Sequence, residues 1–149
     1  MAAIFMDTSA LVRRYDRSEP GASRVRAICA PAQGHTLIVA HIASVEVASA
    51  LARKVRDRTI RVADRTRLWR LFQAHWHDQY QVIALTEDAY IHAERLLFRH
   101  TLRALDAIHI GCALVVAAAL PQIAFEFWTA DKQQADAARN EGLTVELVN

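Results

Sequence analysis

Ala3-Ile4-Phe5-Met6-Asp7-Thr8-Ser9-Ala10-Leu11, residues 3–11, is the stretch from which the architecture is read. Four apolar residues are too short a run for a helix and suit a buried strand, and the Asp-Thr-Ser that follows breaks it. Thr8 and Ser9 can cap a helix beginning near Ala10, so the segment reads as strand, turn, helix. The same grammar returns near the other end. Phe125 to Thr129 reads as a strand, Asp131 follows it directly, a short helix runs from about Lys132 to Glu141, Gly142 caps it, and Thr144 to Val148 alternates as a last strand.

Between these ends the alternation continues. Glu19-Pro20-Gly21 opens a second helical stretch that Pro31 to Gly34 closes. Thr36 to Val39 is a strand, followed by a helix from about Ile42 to Arg56 whose apolar row is expected at Ile42, Val45, Ala48, Ala52 and Val55. Ile60 to Trp76 is amphipathic, with Val62, Leu68, Trp69, Leu71, Phe72 and Trp76 on one side. Gln81 to Leu85 is a strand, and Thr86-Glu87-Asp88 starts the next helix with a cap and two acids favoured by the helix dipole. Arg99 to Arg103 connects it to Ala104 to Leu120, a nearly all-apolar helix ended by Pro121. Short strands separated by helices indicate an α/β domain with a parallel sheet of four to five strands and helices on both faces. In such sheets the functional crevice lies beyond the carboxyl ends of the strands.

Composition agrees with one domain over residues 1–149. With 53% hydrophobic and 23% charged residues and only 4 Gly and 3 Pro, the chain is neither disordered nor a disulfide scaffold. The apolar run from Ile110 to Leu120 falls short of the ~20 residues of a spanning helix, so no membrane association is expected. Cys29 and Cys112 match no C-x-x-C spacing, and the first residues lack a charged segment followed by a long apolar core; a reducing cytoplasm is the expectation. A net charge of +2 is too small to indicate nucleic-acid binding by itself. It hides an asymmetry: eight basic side chains fall between Arg53 and Arg70, opposed only by Asp57 and Asp64. That excess either makes a positive field for a polyanion or forms a solvated helix face.

The chemistry is expected from four acids. Asp7 and Asp131 each follow a strand and belong on one edge of the sheet, while Glu46 and Asp106 fall in the first turns of helices. If those helices start at the same edge, the four carboxylates converge. Two carboxylates about 5 Å apart repel by roughly 3 kcal/mol at an effective dielectric near 20, so a converged group is either partly protonated or neutralised by a cation. Oxygen ligands without a His or Cys cluster suit Mg²⁺ or Mn²⁺ rather than zinc. Magnesium also prefers phosphate oxygens, which points to phosphodiester hydrolysis by a metal-activated water. Asp after a strand or at a helix N-cap is also an ordinary structural device. Asp106, in an otherwise apolar helix, fits that explanation least.

At these residues the chain resembles a family. M-D-T-S-A-L at 6–11, Glu46 within A-S-V-E-V, L-R-A-L-D-A-I-H-I at 102–110 and W-T-A-D-K-Q-Q-A-D-A-A at 128–138 are similar to PIN-domain ribonucleases, and within them to VapC-type toxins of bacterial toxin-antitoxin pairs. The likeness runs from Asp7 to the Gly-Leu-Thr-Val at 142–145. It implies a PIN-like fold and a Mg²⁺- or Mn²⁺-dependent endoribonuclease with Asp7, Glu46, Asp106 and Asp131 on the metal and its water, Asp136 being the fallback for the fourth. It also implies supporting roles for the hydroxyls of Thr8, Ser9 and Thr129. His109, three residues after Asp106, orients a carboxylate, contacts RNA, or packs. From the basic stretch, Arg53, Arg56 and Arg61 are the candidates for contacting RNA.

Toxins of this type pair as homodimers and receive an antitoxin helix in an apolar groove, from which an antitoxin Arg can pair with the acidic site. Trp69, Phe72 and Trp76 are candidates for core or groove. Two other classes remain: an Asp/Mg-dependent phosphohydrolase of small phosphate esters, which wants an acid two residues after Asp7 where this chain has Ser9, and a catalytically silent PIN-like binding module, which the four acids disfavour. His75-Trp76-His77 has the spacing of a chelate on a strand but falls at a helix end. No G-x-S-x-G, G-x-G-x-x-G or Walker A sequence is present.

Overall fold

A computed structural model describes residues 1–149. Five strands, β1 (Ala3–Met6), β2 (Thr36–Ala40), β3 (Tyr80–Ile83), β4 (Phe125–Thr129) and β5 (Val145–Leu147), form one sheet in the order β3-β2-β1-β4-β5. Every pairing is parallel. Seven α-helices connect them: α1 (Thr8–Leu11), α2 (Ala22–Ile28), α3 (Ala43–Arg56), α4 (Val62–Asp78), α5 (Glu87–Arg99), α6 (Ala104–Ala119) and α7 (Lys132–Asn140). The chain moves outward from β1 through β2 to β3, then returns to β1's other side with β4. The strand order therefore reverses between β1 and β4, and the segments leaving their carboxyl ends diverge to open a crevice.

Strand β1 is central and buried on both faces, which is why it reads as an unbroken apolar run. Its side chains alternate between two cores. Ile4 and Met6 pack with Leu37, Val39, Leu11, Val25, Val47, Leu51 and Phe72 on the face covered by α1 to α4. Ala3 and Phe5 pack with Ile38, Phe127, Leu96, Ile110 and Ala138 on the face covered by α5 to α7. Burying side chains of this size stabilises by roughly 1.5 to 3 kcal/mol each, and this fixes the strand against register shift. Trp69 and Trp76 pack on the first core around buried Phe72 and serve as its outer layer. Helices α5 and α6 approach closely at Gly111, where a Cβ would lie 2.5 Å from the carbonyl oxygen of Ala89.

Several local expectations are corrected. The first helix starts at Thr8, and its cap is Asp7 itself, whose carboxylate accepts from the Ala10 N–H; Thr8 and Ser9 are left free for other partners. Helix α2 begins after Gly21, which has a φ of +80°, so Pro20 lies before the helix. In α3 the buried row is Ala43, Val47 and Leu51, while Val45 is 71% exposed. The helix carries two apolar rows, and burying Val47 and Leu51 takes the larger side chains out of water. β5 is a three-residue edge strand with half-buried side chains instead of an alternating one. No helix is long and apolar enough to cross a membrane.

Candidate active site

Asp7, Glu46, Asp106 and Asp131 all line a single cavity of about 550 Å³ at the carboxyl edge of the sheet, together with Thr8, Ser9, His109 and Gln134. Asp7 comes at the end of β1 and Asp131 beyond β4, the two strands that flank the reversal. Glu46 sits in the first turn of α3 and Asp106 in the first turn of α6.

Asp7 is fully buried and saturated with donors. Its Oδ1 accepts from the Ala10 N–H at 2.9 Å and from Ser9 Oγ at 2.7 Å. Its Oδ2 accepts from Thr129 Oγ1 at 2.8 Å and from Gln134 Nε2 at 2.6 Å. Ser9 Oγ in turn accepts from the Ala130 N–H and Thr129 Oγ1 from the Asp131 N–H, which ties the turn after β1 to the turn after β4. Burial pushes the Asp7 carboxyl above its ordinary value, and nearby His109 and these hydrogen bonds only partly oppose it. A group held this way gains from an arriving positive charge.

Glu46 is half-buried and held from two sides. His109 Nε2 lies 2.6 Å from Glu46 Oε1, and Thr8 Oγ1 donates to the same oxygen at 2.9 Å. An ionised carboxylate has no proton to give, so His109 carries its hydrogen on Nε2; Nδ1, also buried, has no partner. Burial would raise the Glu46 carboxyl, but the His109 hydrogen bond and charge, with help from Thr8 and Arg103, outweigh it and hold it below the ordinary range. His109 is therefore both buried and engaged with an acid, which unites two of the roles expected for it.

Asp106 Oδ2 accepts from Arg103 Nε at 3.1 Å, and Oδ1 from Gln134 Nε2 at 3.2 Å. Asp131 caps α7, with Oδ1 accepting from the N–H groups of Gln133 and Gln134. Asp136 lies on the outer side of α7, paired with Lys132 and Arg139, and is removed as a fallback. Of the basic candidates only Arg53 lines the cavity. Arg56 closes α3 and Arg61 precedes α4, both exposed and away from it. Arg13 and Arg103 line the cavity instead. They and Gln134 escaped the sequence reading. For Gln134 the available signal was its place three residues after Asp131, which aims a first-turn side chain back at the sheet edge.

No three His, Cys, Asp or Glu side chains lie close enough to hold an ion as an all-protein cage. Magnesium does not ask for one, since one or two carboxylates with water and phosphate oxygens suffice. Asp7 and Asp106 meet that requirement: both direct an oxygen at one N–H donor, and no sulfur competes. The residues present fit a hard divalent ion.

A doubly wound α/β domain with an acid-lined cavity at its topological switch point defines the class. The chain belongs to the PIN-domain family, whose model matches residues 4–140. The fold is shared with VapBC2 from Rickettsia felis bound to a DNA fragment from their promoter (11% identity, covering 98% of this chain and 99% of that one, TM-score 0.65). It is shared with DNA-bound VapBC from Salmonella typhimurium (12%, 98% and 98%, 0.65). It is also shared with VapC20 from Mycobacterium tuberculosis, a sarcin-ricin loop cleaving toxin (17%, 91% and 95%, 0.62). No curated protein matches the chain in sequence.

Proposed function

We propose that the protein is a divalent-metal-dependent endoribonuclease, the toxin of a toxin-antitoxin pair. The observation that carries this reading is the meeting of Asp7, Glu46, Asp106 and Asp131 at one cavity that Arg53 and Arg103 also line. Carboxylates and guanidinium groups lining one cavity suit a substrate that is anionic at its backbone yet reacts at a cation.

Asp7 and Asp106 would hold Mg²⁺ or Mn²⁺, with Asp131 acting through water. Bound there, such an ion would supply Lewis acidity toward a water and toward the phosphate oxygens. The protein's own groups do the rest. Glu46, kept ionised by His109 and Thr8, is placed to take a proton from a water in the cavity. Ser9 and Thr129 fix the Asp7 carboxylate so that it need not reorient. Arg53 and Arg103 offer planar donors to flanking phosphates.

A cleft of about 230 Å³, with Val47, Leu51, Ile60 and Leu68 among its apolar lining and Asp16, Arg17, Lys54, Asp64 and Arg67 as its charged lining, shares Val12 and Ala50 with the acidic cavity. An antitoxin helix seated there has a path for a basic side chain to the acids. The structural relatives found in toxin-antitoxin complexes support that partner. Pairing of two copies is part of the same proposal. Ser9, a donor to Asp7 where a small-ester phosphohydrolase of the Asp class would carry an acid, counts against that alternative.

The test is an RNA cleavage assay on the purified chain with Mg²⁺, with EDTA, and with Asp106→Asn. Cleavage restricted to wild type with metal is expected. Equal cleavage in EDTA or by the variant would refute the metal assignment. Co-purification with the product of a neighbouring small gene, with cleavage suppressed in the complex, tests the antitoxin.

A further inference from the structure

The amide of Gln134 stands where the chemistry asks for a cation. It is 3% exposed, and its Nε2 lies 2.6 Å from Asp7 Oδ2 and 3.2 Å from Asp106 Oδ1. A primary amide nitrogen has two hydrogens, and here each carboxylate has one of them. With both carboxylates ionised, the reversed amide would set its oxygen against two acceptors. Its Oε1 is buried without any hydrogen-bond partner. An orphaned buried acceptor costs about 1 to 3 kcal/mol, so the arrangement persists because the nitrogen's two contacts outweigh it. A group that bridges both acids through hydrogen and sacrifices its own oxygen acts as a substitute for positive charge.

We propose that Gln134 is a built-in stand-in for the divalent ion, holding Asp7 and Asp106 together in the metal-free protein and yielding its place between them when the ion binds. This rests on the metal reading above and goes beyond it by assigning Gln134 control of the ion's affinity. An ion that bridges these two oxygens needs the position between them that the amide nitrogen occupies. Metal binding therefore breaks both Gln134 contacts, and the free energy of those contacts is subtracted from the affinity. Gln134 is a positioning residue that acts through the two carboxylates. It lets the protein fold before metal arrives and weakens the ion's hold.

The experiment measures Mn²⁺ binding by calorimetry and thermal stability in EDTA and in Mn²⁺, for wild type, Gln134→Met and Asp106→Asn. Methionine keeps length and lacks a donor. Gln134→Met is expected to bind Mn²⁺ about tenfold more tightly than wild type, equivalent to about 1.4 kcal/mol, while melting lower in EDTA. A residue with only a packing role would lower both quantities, so the opposite signs are diagnostic. Unchanged or weaker Mn²⁺ binding in Gln134→Met overturns the proposal. If that variant fails to fold in EDTA, Gln134→Glu is measured for the gain in melting temperature on adding Mn²⁺; a gain no larger than wild type's also overturns it. Wild type that takes up no Mn²⁺, or takes it up as Asp106→Asn does, overturns the metal reading itself and this inference with it.

Discussion

Asp7→Asn is expected to do two opposite things: abolish cleavage and make the metal-free fold more stable. Both follow from a carboxylate with no exposure. Its Oδ2 and Asp106 Oδ1 contact one nitrogen at 2.6 and 3.2 Å, so they lie no more than about 5.8 Å apart, the two distances laid end to end. At an effective dielectric near 20, two charges at that separation repel by about 3 kcal/mol, and burying the Asp7 charge costs several kcal/mol more. Against this stand four donors, each stronger toward a charged than a neutral acceptor by about 1 kcal/mol. The unfavourable side is the larger, in keeping with a carboxyl that burial raises.

Asparagine keeps the Ala10 and Ser9 contacts through its oxygen. Its amide then meets Thr129, whose hydroxyl must turn to accept, and Gln134, whose unpartnered Oε1 can accept only by giving up the Asp106 contact, and both costs reduce the gain. A net gain of about 1 to 2 kcal/mol, in line with the stability surplus released when active-site charges are removed, raises the melting temperature by about 3 to 6 °C for a chain of this size. The pH dependence carries the sign. A carboxyl raised on folding contributes stability below its unfolded value of 3.8, where it is protonated in both states, and loses that contribution as pH climbs through the folded value. The advantage of Asp7→Asn in EDTA is therefore largest at neutral pH and shrinks on acidification toward about pH 4. Differential scanning calorimetry across that range decides it. A variant that melts below wild type at neutral pH, or a gain indifferent to pH, refutes the account of Asp7 as a strained charge.

Other expectations follow from neighbouring groups. His109→Leu removes the hydrogen bond and charge that hold Glu46 low, so the acid limb of the cleavage pH profile moves to higher pH; an unmoved limb detaches Glu46 from the reaction. Glu141, with Arg95, Arg99 and His100 around it, joins the ends of α5 and α7 away from the cavity. Burial opposes its ionisation, but those partners hold the carboxyl below the ordinary value of 4.5, so its contribution is present above that value and lost as pH falls through the folded one. Glu141→Gln costs about 1 kcal/mol, since Arg95 and Arg99 are largely exposed, and leaves the cleavage rate per folded molecule unchanged. Gly111→Ala forces α5 and α6 apart at Ala89 and lowers stability by about 1 to 3 kcal/mol, read from urea unfolding. Arg53→Ala with Arg103→Ala weakens RNA binding and reduces its salt dependence, whereas Arg56→Ala and Arg61→Ala, away from the cavity, change neither.

What the sequence discloses about this site depends on where each residue's partners lie. Asp7 and Asp131 are legible because a strand's end fixes the position of the residues just beyond it, and a parallel sheet brings all such ends to one edge. Asp106 is legible because a charge in an apolar helix has few neutral explanations. The face of α3 is not, since Ile42 and Val45 compete with Val47 and Leu51 as apolar rows; only the sheet's demand for larger side chains selects between them. Arg56 and Arg61 illustrate the limit for charge, because a basic run says nothing of which members turn toward the cavity. Gln134 is the extreme case. Its contacts are with acids 127 and 28 residues distant in the chain, and its spacing from Asp131 hints at its direction without naming what it meets. The site thus divides by physical cause: groups placed by backbone topology are visible in one dimension, while a group whose role is to stand between two others is visible only when both are in place.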